Sequence, residues 1–206
     1  MHLMPTLEMV DLGLSSGTLW AKTNIGAQTE TDYGYYYQWA ATTPLHVEGT
    51  GEGAVNPPAN WSLCPYTNDG ETFEKYNGED YDTLQTEDDV VASQFTGYRM
   101  PTKDDFVELR DETNNEWTSI NGVNGYKFTN QSDSSKYIFL PAAGYCSKSV
   151  SNSVGVEGCY WSSSIYTDYP NYAMHLYFNE EGVYINGSIR YNGFSVRPVV
   201  NPQNQL

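Results

Sequence analysis

Basic residues are scarce in this sequence: 10 Lys and Arg stand against 26 Asp and Glu in 206 residues, and the formal net charge is −16. Residues 1–120 contain 21 acids and 5 bases, whereas residues 121–206 contain 5 of each, so the negative excess lies in the first part. Nucleic acids and anionic membranes attract basic surfaces. The sequence therefore argues against both as partners, and the acidity is typical of a surface that keeps a protein soluble.

Cysteine and histidine are also rare, with three of each. The spacing of Cys64, Cys146 and Cys159 fits neither a disulfide framework nor a zinc site, so we predict no metal and no cofactor. Free thiols are the expectation, with a Cys146–Cys159 pair as the alternative. Cysteine usage leaves the redox compartment open.

Long apolar runs are missing. None approaches transmembrane length, so direct membrane insertion is not expected. The first ten residues, MHLMPTLEMV, lack the basic start and the apolar stretch of a signal peptide. A secreted protein without its leader would have the same sequence, so secretion stays open.

Charged residues make up only 17% of the chain, and its polarity comes mainly from Gly, Asn, Ser, Thr and Tyr. This composition favours a loop-rich fold with many short strands. The length predicts a single domain over residues 1–206, with residues 1–9 as an N-terminal extension, and two small domains are the alternative. The sequence does not indicate an oligomeric state.

Residues 43–94 lose all periodicity and are interrupted by many turn signals: Pro44, Gly49, Gly51, Gly53, Pro57-Pro58, Pro65, Asn68-Asp69-Gly70 and Asn77-Gly78. We interpret them as a long irregular insertion. Its acids include Glu79, Asp80, Asp82, Glu87, Asp88 and Asp89. The more specific hypothesis is that these acids bind calcium, but the sequence lacks the D-x-[DN]-x-[DN]-G-x5-E spacing of a calcium loop. A solvated acidic loop is the preferred interpretation.

The clearest local signal begins at Thr102, a favourable N-cap residue, with Asp105 three residues later in an imitation of a capping box. Phe106 and Leu109 follow with helical spacing. The pattern predicts a helix that ends around residues 113–115. Shorter apolar runs predict strands at 9–14, 126–128 and 137–140, and the Ser- and Gly-rich residues 147–158 are typical of a loop.

Residues 160–199 show the most regular alternation in the chain. Met174, Leu176 and Phe178 alternate with polar or small residues, which predicts a strand with one buried face. A turn at 180–182 leads into a second predicted strand at Val183 and Ile185, and a third short strand is predicted near the end of the segment at Phe194, Val196 and Val199.

Seven tyrosines fall between Tyr160 and Tyr191, several of them at positions that the alternation sends away from the core. Tyrosine offers a large, stiff contact area and one hydroxyl, which is the chemistry of a recognition surface. The predicted ligand-binding residues are Tyr166, Thr167, Asp168, Tyr169, Asn171, Tyr172, His175, Tyr177, Tyr184, Asn186, Ser188 and Tyr191.

Seven segments in a fixed order carry a family resemblance: VDLGLSSGTLWAKTNIGA, YGYYYQWA, YRMPTKDDFVEL, NGVNGYKF, IFLPAAGY, YWSSS and GFSVRPV. Together they resemble the major paralogous domain described from Fibrobacter and abundant in gut Bacteroidetes. That family is similar to the formylglycine-generating enzymes, whose R-L-P-T-E-x-E-W segment corresponds to residues 99–106. The resemblance implies an α+β, C-type-lectin-like fold with few helices, short twisted antiparallel strands and long loops.

A subset of this fold serves as the variable proteins of diversity-generating retroelements in phages and gut bacteria. In those proteins the segment between the WSSS-like and SVRPV-like motifs is rewritten at adenine-containing codons. Every residue of 165–173 in this chain is reachable from such a codon, as are the outward positions predicted further along the segment. The resemblance therefore implies that residues 160–199 are a candidate variable ligand-binding segment, displayed extracellularly, at a cell surface or on a phage particle.

The sequence gives little support for an enzymatic function. Formylglycine-generating enzymes need a pair of reactive cysteines near the C-terminal end of the domain, and residues 183–199 contain none. Ser162, His175 and Asp168 could formally make a triad, but no G-x-S-x-G motif surrounds any serine. Calcium-dependent lectins use E-P-N or Q-P-D followed by W-N-D, whereas Trp161 here is followed by two serines.

These observations favour a non-enzymatic module that binds a protein or glycan on a cell surface through a Tyr-rich, retroelement-diversified face. The first alternative is an invariant secreted or surface domain that binds carbohydrate or acts as a scaffold. The second is an enzyme of the formylglycine-generating type. Fold alone does not decide among them.

Overall fold

The computed structural model describes residues 7–48 and 52–204. Residues 1–6 of the predicted N-terminal extension and residues 49–51 of the predicted insertion lie outside this part of the chain. Strands account for 39% and helical residues for 7% of the structure. The expectation of an α+β class is therefore wrong: the described residues are mostly β, with four small antiparallel sheets. The C-type-lectin-like architecture stays a prediction.

The strands in chain order are β1 (Met9–Val10), β2 (Leu19–Ala21), β3 (Ala54–Ala59), β4 (Thr113–Ile120), β5 (Val123–Asn130), β6 (Tyr137–Pro141), β7 (Tyr145–Asn152), β8 (Gly158–Ile165), β9 (Tyr172–Asn179), β10 (Gly182–Ile189) and β11 (Val199–Val200). The helices are α1 (Lys103–Asp111) and the 3-10 turns Trp61–Leu63 and Pro202–Asn204. The sheet orders are β1-β2-β11, β10-β9-β8, β3-β7 and β4-β5-β6. No helix in the described ranges is long and apolar enough to cross a membrane.

The sheet of β8, β9 and β10 positions the candidate site. β9 lies in the middle and pairs with β10 along its whole length, from Asn179 opposite Gly182 to Tyr172 opposite Ile189. The first two strands predicted within residues 160–199 are confirmed as β9 and β10. The third is only partly a strand, because isolated bridges precede the two-residue β11.

Side chains of β9 alternate between two hydrophobic clusters. Even-numbered residues such as Leu176 and Phe178 join one cluster with Trp20, and odd-numbered Ala173 joins the other with Trp161. Period-two alternation sends successive side chains to opposite faces of a sheet. The sheet is therefore covered on both faces along β9, and its exposed side chains belong to the edge strand β10 and to the adjoining loop.

Helix α1 begins as the sequence predicts. The Thr102 hydroxyl accepts the Asp105 amide hydrogen at 3.1 Å, and the Asp105 carboxylate accepts the Thr102 amide hydrogen at 2.7 Å, which completes the capping box. The helix ends before the predicted 113–115. The Thr113 hydroxyl donates to the Leu109 carbonyl at 2.6 Å, and the chain turns directly into β4.

The sequence patterns miss several strands, among them β4 and β7. β4 pairs with β5 across Asn121–Gly122, whose φ angles of 50° and 79° suit a two-residue hairpin turn. β7 occupies much of the predicted loop 147–158, where its polar residues pair with β3. The strand predicted at 9–14 is limited to β1.

The acidic segment 43–94 contributes to the core. Tyr76, Val90 and Val91 are fully buried in the same cluster as Trp39. Bulky apolar side chains of the segment thus pack beneath the C-terminal sheet, which ties the two regions together.

Two acids in this segment are buried, which corrects the expectation of a solvated loop throughout. The Asp88 carboxylate accepts hydrogen bonds from the Lys75 ammonium at 2.6 Å and from the hydroxyls of Tyr76 and Tyr66 at 2.6 and 2.5 Å. Asp89 is also buried, and burial raises the pKa of its carboxyl group. These carboxylates therefore organise the segment from within.

Candidate ligand-binding site

Three of the predicted tyrosines lie together. The rings of Tyr166, Tyr169 and Tyr172 line a cleft of about 320 Å³ with Gly187 of β10, here called the tyrosine cleft. The centroids of the Tyr166 and Tyr169 rings are 5.5 Å apart, and those of Tyr169 and Tyr172 are 6.5 Å apart. The ring planes are inclined by 60° and 67°, geometries at which aromatic pairs attract.

Gly187 allows the Tyr166 ring to lie directly against β10. A Cβ atom at this position would stand 2.6 Å from Cδ2 of Tyr166. A glycine within a strand often marks close approach of another group to the backbone. Gly187 is therefore part of the site although it is not among the residues predicted from the sequence. A glycine within an alternating strand pattern is the sequence signal that points to it.

Backbone hydrogen bonds fix the loop that carries these tyrosines. The Tyr169 amide donates to the Tyr166 carbonyl at 3.0 Å, and the Tyr172 amide donates to the Tyr169 carbonyl at 2.8 Å. The Tyr166 amide in turn donates to the Tyr172 carbonyl at 3.2 Å. Two successive turns thus set the relative positions of the three rings before any ligand arrives, which lowers the entropy lost on binding.

Arg190 supports this loop from below. Its Nη1 donates to the Pro170 carbonyl at 2.8 Å and to the Tyr76 carbonyl at 3.0 Å. The guanidinium is fully buried, with its central carbon 4.7 Å from the Trp39 ring centroid and 4.4 Å from that of Phe73. Burial lowers the pKa of Arg190 to about 10, so the group stays charged at neutral pH. Arg190 is a positioning residue that joins the loop to the acidic segment.

Free polar groups border the aromatic walls. Tyr169 is 60% exposed, and Thr167 and Asp168 beside it are exposed as well. Within the described residues, the hydroxyls of Tyr166, Tyr169 and Tyr172 have no hydrogen-bond partner. Apolar ring faces together with free donors and acceptors give the cleft the composition of a recognition surface.

A second group of predicted residues lies on the other face of the sheet. Tyr184, Asn186 and Ser188 alternate with Gly187 along β10 and therefore point away from the tyrosine cleft. Tyr177 lies opposite Tyr184 in the register, with ring centroids 6.2 Å apart. We call these four residues the outer strip. The expectation that all twelve predicted residues share one face is wrong.

His175 is not a surface contact. It is 5% exposed, and its ring lies 5.9 Å from the Trp161 ring and 4.9 Å from the Phe194 ring. Burial lowers the pKa of His175 to about 4, so the imidazole is neutral at physiological pH. The outward assignment fails because both faces of β9 are covered.

The two remaining predicted residues lie at the margins of the site. Tyr191 is half-buried, with its ring 5.0 Å from the Trp61 ring in an edge-to-face arrangement. Asn171 is half-buried too, and its carbonyl accepts the Arg190 amide hydrogen at 3.1 Å. The Tyr191 ring therefore mainly packs against Trp61, and Asn171 belongs to the loop that Arg190 supports.

Comparison with known proteins finds one match to a protein family. The chain is similar over residues 107–199 to a domain of unknown function, DUF8237. The matched region begins within α1 and includes the tyrosine cleft and the outer strip, whereas the acidic segment lies outside it. No curated protein and no solved structure matches the chain.

The cysteines of the chain are buried free thiols. Burial raises the pKa of Cys64 and of Cys146 to about 12 and also raises that of Cys159. A thiol must ionise to act as a nucleophile or metal ligand. Among the described residues, no group of three or more His, Cys, Asp or Glu is placed to hold a metal ion.

Ser162, His175 and Asp168 do not form a hydrogen-bonded triad. The Ser162 hydroxyl donates to the Met174 carbonyl at 2.6 Å, and Asp168 lies in the exposed loop. His175 is buried between aromatic rings, as described above. In these positions the three side chains do not have the mutual contacts that nucleophilic catalysis needs.

Proposed function

We propose that this chain is a non-enzymatic ligand-binding module and that the tyrosine cleft holds a protein or glycan exposed at a cell surface. The observation that carries the proposal is the cleft itself: three tyrosine rings on a hydrogen-bonded loop around Gly187. Aromatic side chains in preset positions supply contact area at low entropic cost.

The most exposed ring is the expected anchor. Tyr169 is 60% exposed and lies between the rings of Tyr166 and Tyr172, so a ligand in the cleft would cover it most completely. Thr167 and Asp168 would orient the ligand through hydrogen bonds. Interfaces of this kind draw most of their affinity from a few aromatic anchors, with the remaining contacts supplying fit.

The module has a natural internal control in the outer strip. Tyr184 is 44% exposed and belongs to the same hairpin as the cleft, but its side chain points to the opposite face. Tyr169→Ala and Tyr184→Ala therefore remove the same chemical group from two sides of one sheet.

The test begins with glycan and cell-surface protein arrays probed with the purified chain. The dissociation constant of each hit is then measured for wild type, Tyr169→Ala and Tyr184→Ala. We expect Tyr169→Ala to weaken binding by at least about tenfold, while Tyr184→Ala binds as wild type does. Thermal unfolding should be nearly unchanged in both variants, because both side chains lie at the surface, Tyr169 60% exposed and Tyr184 44% exposed.

Two outcomes would contradict the proposal. Loss of binding in Tyr184→Ala with full binding in Tyr169→Ala would assign recognition to the outer strip. The absence of any hit on either array would remove the support for a protein or glycan partner.

A further inference from the structure

A second cavity, of about 740 Å³, lies outside the tyrosine cleft. Residues 31–36 and 44–47 line it together with Val123, and we call it the 31–47 groove. Its volume falls in the range of small-molecule sites, about 300–1,000 Å³. None of its lining residues was singled out as a candidate contact from the sequence.

The walls of the groove are largely apolar and aromatic. Leu45 and Val47 contribute aliphatic side chains, and Tyr33 and Tyr35 contribute rings. Tyr35 is 50% exposed, and its ring is packed so closely on Gly26 that a Cβ there would stand 2.4 Å from Cδ2 of the ring. An exposed ring in a fixed position offers its face to a ligand.

The charge of the groove is negative. Asp32 lines it, and its Oδ2 accepts the amide hydrogens of Thr29 at 2.8 Å and Gln28 at 3.1 Å. The hydrogen bond from the Thr29 amide holds the pKa of Asp32 below its usual value, so the carboxylate is ionised at neutral pH. None of the described lining residues is Lys or Arg.

This lining discriminates among ligand classes. An anion would meet the Asp32 carboxylate, and His46 is the one basic side chain among the described lining residues. A polyhydroxylated neutral ligand would bury several hydroxyls against aliphatic walls, at the cost of unmade hydrogen bonds. An organic cation would interact favourably with both the Asp32 carboxylate and the faces of the tyrosine rings. The net charge of −16 also raises the concentration of cations near the protein surface.

We propose that the 31–47 groove binds a small organic cation with an apolar body, of the alkylammonium or benzylammonium class. The apolar body lies against Leu45 and Val47, and the cationic head faces Asp32 and the ring of Tyr35. This site shares no residue with the tyrosine cleft, so the two proposals stand or fall separately.

The probes are benzyltrimethylammonium, benzyl alcohol and benzoate, which share a ring and differ in charge. Ligand-observed NMR titration of the full chain should give binding of the ammonium probe, weaker binding of the alcohol and none of benzoate. Equal binding of all three, or no binding of the ammonium probe, would overturn the proposal.

Three variants locate the site. Tyr35→Ala should weaken binding of benzyltrimethylammonium by about fivefold, and Tyr35→Phe, which keeps the ring, should not. Asp32→Asn keeps an oxygen acceptor for the Thr29 amide but removes the charge. It should therefore weaken binding of the ammonium probe by about fivefold and leave binding of benzyl alcohol unchanged. Thermal unfolding checks that each variant is folded.

Glu116→Gln is the matched control for non-specific attraction, because Glu116 is an exposed acid of β4 outside the groove. It should bind the ammonium probe as wild type does. An equal loss in Glu116→Gln and Asp32→Asn would assign the effect to overall charge and contradict the proposal.

Discussion

The ring of Tyr166 rests against Gly187 so closely that a methyl group at position 187 would stand 2.6 Å from its Cδ2 atom. Tyr166 lies in the loop between β8 and β9 and Gly187 lies in β10, and their contact forms one side of the tyrosine cleft. The shape of the cleft therefore depends on the absence of a side chain.

Gly187→Ala should displace the Tyr166 ring and weaken ligand binding by at least about tenfold. The cost in unfolding free energy should be only about 1 kcal/mol, because the displaced ring lies at the surface and can move outward. Ligand titration and chemical denaturation measure the two effects. Ser188→Ala changes the next residue on the opposite face and should preserve binding; an equal loss there would show that the cleft is not the site.

Arg190→Lys should lower stability and loosen the tyrosine-bearing loop. Lysine keeps the charge but lacks the planar guanidinium that stacks near Trp39 and Phe73 and reaches both Pro170 and Tyr76. We expect a loss of about 2–4 kcal/mol in unfolding free energy.

Hydrogen exchange separates this positioning role from a general loss of stability. In Arg190→Lys the amides of Tyr169 and Tyr172 should exchange faster than global unfolding alone predicts. If their exchange only follows the global change, the contact is structural and does not position the loop.

Asp88→Asn should destabilise the acidic segment by about 2–4 kcal/mol, because Lys75 and two tyrosine hydroxyls lose their shared charged acceptor. Glu87→Gln removes the neighbouring, exposed partner of the same lysine and should change stability little. Urea denaturation of both variants makes the comparison. Similar losses in the two would mean that the burial of Asp88 is not what matters.

The Asp88 cluster also has a pH dependence of known sign. Burial opposes ionisation of Asp88, but hydrogen bonds from Lys75 and the tyrosines outweigh it and hold the pKa below its usual value. The cluster therefore stabilises the fold at pH values above the ordinary aspartate pKa, and this contribution is lost as the pH falls through the depressed pKa of the folded state.

His175 should make the fold less stable in mild acid. Its pKa of about 4 in the folded state lies below the value near 6.5 in the unfolded chain, so only the unfolded state takes up the proton between these pH values. Stability is fully present above about pH 6.5 and should fall by about 1.4 kcal/mol per pH unit towards pH 4.

The His175→Phe variant isolates the contribution of His175 to the pH dependence of stability, because the other titratable groups are the same in both proteins. Unfolding free energies at pH 7, 6 and 5 should fall less steeply in His175→Phe than in wild type. Identical slopes for wild type and His175→Phe would place a solvent-accessible histidine at position 175.

Local chemistry was predictable from the sequence. Thr102 and Asp105 lie three residues apart, so their capping box needs no information from the rest of the chain. The position at which α1 ends was not predictable from the sequence. The Thr113 hydroxyl donates a hydrogen bond to the Leu109 carbonyl, and the following residues pair with β5 as β4 instead of extending the helix.

Long-range pairing was not predictable. The Ser-rich residues of β7 form a strand because β3, far away in the sequence, supplies a partner, with Ala54 opposite Val150. The same limit applies to His175: alternation predicts two faces for a strand, but it does not reveal that a second hydrophobic cluster covers the outer one. The α+β expectation failed for a related reason: β4 and part of the predicted loop 147–158 are paired as strands, whereas α1, with nine residues, is the one α-helix in the described part of the chain.

The register of β10 has a practical consequence. Positions 184, 186 and 188 point to one side of the hairpin and position 187 points to the other. Randomising positions 184, 186 and 188 would create a library that leaves the tyrosine cleft untouched, so that a selected variant would bind a second target on the opposite face of the same sheet.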